Sequence, residues 1–174
     1  MTTESVLCGY TAPILVLALG DVRLGDDGVG PVLLTDLAER YRYAGGFIEF
    51  VDGGTQGLEL LSRIAGRQAL VVLDAVASGR QPGTVSVLEG SDVLRYASGS
   101  PTKASEGNAG EVLATAAFLG DLPYCCYVIG VEPGNISTGA GLSQDVQKSL
   151  QNALTRAQNV VDRLLVELAE PANA

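Results

Sequence analysis

The stretch that decides the fold is PILVLALGDVRLGDDGVG, residues 13–30. It begins with a continuous apolar run over residues 13–19 that is closed by Gly20, which is typical of a strand covered on both faces. The acidic turn DDG then precedes a helical pattern of apolar residues. A buried strand, a tight turn and a helix in this order indicate a parallel α/β sheet.

The rest of the chain repeats this alternation of short strands and helices. Further strands are predicted at residues 47–51, 69–73, 84–88 and 125–131, helices at 56–65, 111–119 and from 143 onwards, and a loop at 97–107. Residues 77–83 are too few for a parallel crossover, so the strand after them is predicted to be antiparallel. We therefore predict an α/β fold, a three-layer sandwich with a mixed, mostly parallel five-stranded sheet and helices on both faces. It forms a single domain over residues 1–174, with its core at about residues 12–168.

Composition narrows the class of partner. Eleven basic residues against twenty acidic ones give a net charge of −9, which argues against binding to nucleic acid phosphates. No apolar run approaches the roughly 20 residues that a membrane helix needs. The first ten residues do not resemble a signal peptide, and Cys8, Cys125 and Cys126 lack metal-ligand spacing. A cytoplasmic protein with reduced cysteines in its core is the expectation.

The chain contains no histidine. Catalysis by Ser-His-Asp or Cys-His groups is therefore excluded, as is every metal site that depends on histidine.

Acidic residues follow three of the predicted strands. Asp21, Asp26 and Asp27 come after the first strand, Asp52 after the second and Asp74 after the third. In open α/β sheets the sites form at the carboxyl ends of the strands. Carboxylates brought together there repel unless a cation or a proton lies between them, so the pattern predicts a metal site or an acid–base pair.

Each acidic signal also has a purely structural interpretation. Asp27 could cap the following helix, and Asp74 could cap the end of its strand. The sequence from Asp52 to Thr55 could be a simple turn in which Gly53 and Gly54 supply unusual backbone angles.

Seven motifs occur in a fixed order along the chain. They are LGDVRLGDDGVG (residues 19–30), DGGTQGLELL (52–61), LDA (73–75), PGT (82–84), EVL (111–113), GVEP (130–133) and GLS (141–143). In this combination they resemble the maturation endopeptidases of nickel–iron hydrogenases, over roughly residues 12–168.

The resemblance implies an enzyme that removes a C-terminal extension from the hydrogenase large-subunit precursor once nickel has been inserted. Nickel would be supplied by the substrate and would act as the recognition signal, with no organic cofactor. Two of the family's metal-binding positions correspond to Asp27 and Asp74, which are also the implied catalytic residues. Asp52, Gly53, Gly54 and Thr55 are the residues implied to shape the substrate cleft.

The family's third metal-binding position, a histidine, corresponds to Ser105, and Glu106 beside it is the residue that would replace the histidine as a ligand. Nickel favours imidazole, whereas carboxylates suit harder ions, so this departure bears on metal affinity and on activity. Two alternatives therefore stand beside the peptidase. One is a catalytically impaired homologue that binds the precursor or its metal as a maturation checkpoint, and the other is an unrelated small-molecule hydrolase on the same scaffold.

Overall fold

The computed structural model describes residues 11–99, 109–139 and 141–169, and in these ranges five strands form one mixed sheet. The strands are β1 (Ile14–Leu19), β2 (Ile48–Gly54), β3 (Ala69–Ala75), β4 (Val85–Glu89) and β5 (Cys125–Val131). Their order across the sheet is β2-β1-β3-β5-β4. Only β4 runs antiparallel to its neighbour, so the predicted mixed sheet is confirmed.

Helices cover both faces of the sheet, as predicted. They are α1 (Val29–Arg40), α2 (Leu61–Ile64), α3 (Ser91–Ser98), α4 (Ala109–Leu119) and α5 (Gln144–Ala169). The buried side chains divide into two clusters, one between the sheet and α1 with α5, and one between the sheet and α2, α3 and α4. Successive residues of β1 enter the two clusters in turn, because side chains alternate along a strand. The uninterrupted apolar run follows from this burial on both faces.

Three local predictions were wrong. β2 does not stop before Asp52 but continues through Gly54, and the helix predicted at residues 56–65 is a 3-10 helix, Gly57–Leu60, followed by the short α2. Helix α3 was not predicted at all, and Ala97 and Ser98, assigned to a loop, are its last residues. Residues 100–107 of that predicted loop lie outside the described residues. Short elements carry too few residues for a period to emerge from the sequence.

The cysteines of β5 lie on opposite faces of the sheet, as predicted. Cys126 is buried in the cluster with α4, whereas Cys125 packs against the cluster with α5. Burial, together with the neighbouring Cys125, raises the pKa of the Cys126 thiol to about 12, so this thiol is protonated at neutral pH and is not a nucleophile. Cys8 lies outside the described residues.

Helix α5 is the longest helix, with one face buried against the sheet and the other in solvent. Its alternation of buried and exposed positions agrees with the amphipathic pattern from which it was predicted. Among the described residues, no helix combines the length and the apolar content needed to cross a membrane.

The first turn of α1 contacts the ends of two strands directly. A Cβ atom added to Gly30 would lie 2.4 Å from the carbonyl oxygen of Leu19 and 2.5 Å from that of Leu73. Any side chain at this position would therefore push the helix away from the carboxyl ends of β1 and β3. The acidic turn that precedes α1 is held over β3 as a consequence.

We expect Gly30→Ala to lower the free energy of unfolding by about 1–3 kcal/mol, because the added methyl group overpacks the contact with both carbonyls. Helix propensity alone predicts the opposite sign, a gain of roughly 0.5–1 kcal/mol. Gly46→Ala is the matched control, since a Cβ atom there meets nothing within 4 Å. Urea denaturation of both variants measures the difference, and a stable Gly30→Ala protein would contradict the close contact.

Candidate active site

Asp27 and Asp74 lie at the carboxyl edge of the sheet, and both are buried. Asp74 is the next-to-last residue of β3 and is 4% exposed. Asp27 lies in the 3-10 helix Gly25–Gly28, immediately before α1, and is 5% exposed. β1 and β3 are neighbours in the sheet, and the close contact at Gly30 brings the residues before α1 towards the end of β3.

The turn after β1 fixes the orientation of the Asp27 side chain. The main-chain N–H of Asp21 donates a hydrogen bond to Oδ2 of Asp27 over 2.7 Å. Gly20 adopts a φ of +110°, and a Cβ atom there would lie 1.9 Å from the carbonyl oxygen of Asp27. Only glycine allows so close a return of the chain onto itself.

The electrostatics of Asp74 are unusual for a carboxyl group. Burial, reinforced by the negative charge of Asp27, raises the pKa of Asp74 to about 7. Hydrogen bonds from the main-chain N–H groups of Ala75 and Ala109 oppose this rise only in part. Near neutral pH the Asp74 carboxyl group therefore favours a proton or a nearby cation.

Two helices begin close to this pair of aspartates. Asp27 lies two residues before α1, and the N–H group that reaches Asp74 belongs to Ala109, the first residue of α4. The positive ends of helix dipoles favour negative charge, which lowers the cost of placing two carboxylates together. The segment that leads into α4 contains Ser105 and Glu106, both of which lie outside the described residues.

Asp26 has a different role from Asp27, although it is adjacent in the sequence. Its fully buried carboxylate accepts hydrogen bonds from the main-chain N–H groups of Gly134, Asn135 and Ser143, over 2.7, 2.8 and 2.6 Å. Burial acts to raise the pKa of Asp26, but these donors outweigh it and the pKa lies below its ordinary value. Asp26 therefore ties the turn after β1 to the loop that precedes α5.

The structure does not bring Asp21 or Asp52 into the buried pair. Asp21 forms an ion pair with the exposed Arg23, with Nη2 and Oδ2 2.6 Å apart. Asp52 is exposed on β2, which is two strands away from β3, and its Oδ1 accepts a hydrogen bond from the N–H of Gly54 over 3.0 Å. Both residues nevertheless lie at the carboxyl ends of parallel strands, as the pair does.

Of the other residues predicted to shape the substrate cleft, Gly53 packs inside the protein and Thr55 lies on its surface. A Cβ atom at Gly53 would lie 2.8 Å from Cδ1 of Leu60 and 2.9 Å from Cδ1 of Leu17, so a side chain at Gly53 would have to displace these two buried leucines. Gly54 has a φ of +49°, and Thr55 is exposed beyond the end of the strand. Only the surface part of this segment is therefore open to a ligand.

Tyr96 is a residue of this region that the sequence analysis missed. Burial raises the pKa of its phenol, and the carboxylate of Asp74 raises the pKa further, which places the ring near that carboxylate. The signal was present in the helical spacing of Val93, Tyr96 and Ala97, but the segment was too short to stand out from the loop predicted after it.

The described residues do not form a complete metal site. Within them, no three acidic or cysteine side chains lie close enough together to hold an ion. Asp27 and Asp74 can supply oxygen ligands, a set that is typical of hard ions.

The fold and the acidic pair together define an α/β protein with a polar site at the carboxyl edge of a mixed sheet. Comparison with known proteins identifies the family. Residues 32–160 match the model of the hydrogenase maturation protease family. The chain therefore belongs to this family, whose members are peptidases.

Individual relatives agree with this assignment. The chain is 34% identical over 167 residues to the hydrogenase expression/formation protein HoxM of Azotobacter vinelandii, covering 94% of this chain and 80% of the relative. It is 32% identical over 142 residues to the hydrogenase 2 maturation protease of Escherichia coli K12, covering 81% of this chain and 85% of the relative. The solved structure of the hydrogenase maturating endopeptidase HybD from E. coli superposes with a TM-score of 0.73 at 28% identity, covering 86% of this chain and 92% of that one.

We expect Asp74→Asn to raise the free energy of unfolding at pH 8 by about 2–4 kcal/mol, because it removes a buried charge. A carboxyl group whose pKa is raised on folding binds its proton more tightly in the folded state. The stability of the natural protein should therefore fall as the pH rises from about 4 to about 7, and the variant should lack this fall. Urea denaturation at several pH values provides the measurement.

Asp26→Asn is the matched control, and the opposite sign is expected. The pKa of Asp26 is lowered on folding, so its contribution to stability is present above the unfolded pKa and is lost as the pH falls. This variant should lose about 1–3 kcal/mol at pH 8, since the neutral amide accepts the N–H groups less strongly. Equal changes in the free energy of unfolding for Asp26→Asn and Asp74→Asn would contradict the different roles assigned to these two residues.

Proposed function

We propose that this chain is an endopeptidase that removes the C-terminal extension of a nickel–iron hydrogenase large-subunit precursor after nickel has been inserted. Membership of a peptidase family supports the reaction type. The observation that carries the proposal is the buried pair formed by Asp27 and Asp74. The precursor is accordingly the proposed partner, in the cytoplasm, with no role for nucleic acid or a membrane.

The pair is difficult to explain as a structural feature. Asp74 is buried beside another carboxylate, and its raised pKa means that its ionised form costs stability. A carboxylate that serves only the fold is usually satisfied by several donors, as Asp26 is. A group that costs stability and lies at the carboxyl edge of the sheet, where the sites of α/β proteins form, is better explained by function.

The two aspartates would recognise an ion that the precursor carries. Asp27 and Asp74 supply two carboxylate oxygens, which complete the coordination of nickel that the precursor already holds by its own ligands. Their combined negative charge favours a precursor loaded with the cation over an empty one. A cation held at this edge would polarise the scissile carbonyl towards attack by water.

The absent histidine supports one second candidate function. With Ser105 at the family's histidine position, the chain could hold the precursor or its metal as a checkpoint without cutting it. Mass spectrometry distinguishes the two functions after the chain is incubated with a nickel-loaded precursor. A shortened precursor supports the peptidase, and a stable complex of unchanged mass supports the checkpoint.

We expect Asp27→Asn and Asp74→Asn each to reduce the rate of precursor processing at least about 100-fold, because each removes a charged ligand from the substrate-borne ion. Asp36→Asn on the exposed surface of α1 is the matched control and should process at the natural rate. The rate is followed by the mass of the shortened large subunit. Processing at the natural rate by Asp74→Asn would make this residue a structural one.

We expect the free protein to bind nickel or zinc weakly, and Ser105→His to tighten that binding about tenfold or more, because imidazole is the donor that these ions prefer. Lys148→His on the exposed surface of α5 is the control for a histidine placed elsewhere. Calorimetry above pH 7, where histidine is neutral, measures both variants. Tight binding by the natural protein that is lost in Glu106→Gln would instead show that Glu106 has replaced the histidine, and no change in Ser105→His would refute the correspondence of this position.

A further inference from the structure

Among the residues that the structure describes, β2 lies at the edge of the sheet and pairs with β1 alone. The N–H of Ile14 donates to the carbonyl of Phe47 over 3.1 Å, and the parallel register pairs Ile14 with Ile48. Main-chain groups alternate in direction along a strand, so this register turns the N–H and C=O groups of Phe50 and Asp52 away from β1. We refer to these outward groups of Phe50 and Asp52 as the β2 edge.

The β2 edge is unpaired within the part of the chain that the structure describes. Among residues 11–99, 109–139 and 141–169, no main-chain or side-chain group forms a hydrogen bond with the N–H or C=O of Phe50 or Asp52. β2 contains neither lysine nor proline, the residues that commonly protect an exposed edge from pairing. The edge therefore has the main-chain donors and acceptors that an additional strand requires.

Side chains on both faces hold β2 in place. The ring of Phe50 stacks on that of Tyr41 with centroids 6.4 Å apart. On the other face, the carboxylate of Glu49 accepts hydrogen bonds from Arg63, over 2.9 Å, and from the buried Arg67. A strand held rigidly on both faces loses little conformational entropy when it pairs with a ligand.

The sheet has a second edge at β4, but the position of Asp27 favours β2. The chain turns back at Gly20, at the end of β1, so that a Cβ atom there would lie 1.9 Å from the carbonyl oxygen of Asp27. Strands lie about 4.8 Å apart, so a peptide added to β2 would lie about 10 Å from β1, whereas one added to β4 would lie about 19 Å from it. Asp74, on β3, is about 14 Å in strand spacing from a peptide added at either edge. Three extended residues span the roughly 10 Å between a peptide on the β2 edge and the end of β1.

We propose that the β2 edge binds the C-terminal region of the precursor as an added strand, through main-chain hydrogen bonds to Phe50 and Asp52. This rests on the proposed function, since a peptidase must hold an extended main chain beside its catalytic residues. Pairing of this kind recognises the peptide backbone and places few demands on its sequence. Selection of the correct precursor is then left to the acidic pair.

Comparison of Asp52→Pro with Asp52→Ala tests the edge. Both variants lack the carboxylate, but only proline also removes the outward N–H, which a proline at an edge position can do without breaking the ladder. We expect the KM for precursor processing to be at least tenfold higher for Asp52→Pro than for Asp52→Ala, with kcat within about twofold. Val87→Pro makes the same change in the outward row of β4 and should leave KM unchanged.

A synthetic peptide provides a test that does not depend on the stability of a variant. The peptide spans the cleavage point and the C-terminal extension, and each copy carries one N-methylated residue. Strand pairing predicts that affinity for the natural protein falls at every second position, because alternate N–H groups face the edge. A uniform loss, or none, would overturn the proposal.

The outcomes separate this proposal from the proposed function. If the natural protein shortens the precursor but Asp52→Pro and Asp52→Ala have the same KM, the proposal for the β2 edge is wrong and the proposed peptidase function stands. If the natural protein does not shorten the precursor, the proposed function is wrong, and the binding of the N-methylated peptides still shows whether a peptide pairs with the β2 edge. A natural dimer that becomes monomeric in Asp52→Pro, measured by light scattering, would show that the edge pairs with a second copy and would overturn the proposal.

Discussion

The contact between α1 and the ends of β1 and β3 is the constraint on which the rest of the site depends. Gly30 has no side chain, so the helix approaches the carbonyl groups of Leu19 and Leu73 more closely than any other residue would allow. The acidic turn immediately before α1 is carried with it to the end of β3. The close packing of α1 on the strand ends therefore brings together two aspartates, Asp27 and Asp74, that are far apart in the sequence.

Asp26 in that turn and Asp74 at the end of β3 have different roles because their surroundings differ. Asp26 receives three main-chain N–H groups from the loop before α5, and these donors stabilise its charge against the cost of burial. Asp74 receives the N–H groups of Ala75 and Ala109 but also faces the charge of Asp27, and its pKa is raised. The carboxylate of Asp26 therefore supports the fold, whereas that of Asp74 favours a proton or a cation. The turn after β1 thus holds one aspartate that stabilises the fold and a second, Asp27, that forms the buried pair with Asp74.

If the proposed function is correct, a chain without histidine can still act, because it needs to supply fewer metal ligands than a protein with a resident metal ion. A resident metal must be held in full by the protein, which requires several donors of the preferred kind. An ion delivered by a precursor already has ligands, so two carboxylates need only complete its coordination. If the β2 edge also holds the peptide, binding energy is supplied by the main chain, and weak affinity for the free ion is compatible with recognition of the loaded precursor.

The sequence by itself determined the strands of the sheet and the helices on both faces, because apolar periodicity is a local property. The short connection over residues 77–83 determined that β4 is antiparallel. It also located Asp27 and Asp74, since residues that follow parallel strands must meet at one edge. The different roles of Asp26 and Asp27, the extension of β2 past Asp52 and the position of Tyr96 were decided only by the tertiary structure. Asp26 bonds to Ser143, 117 residues further along the chain, and no local pattern encodes a partner at that separation. Periodicity reports which face of an element is buried, whereas the role of a polar side chain depends on which distant groups surround it.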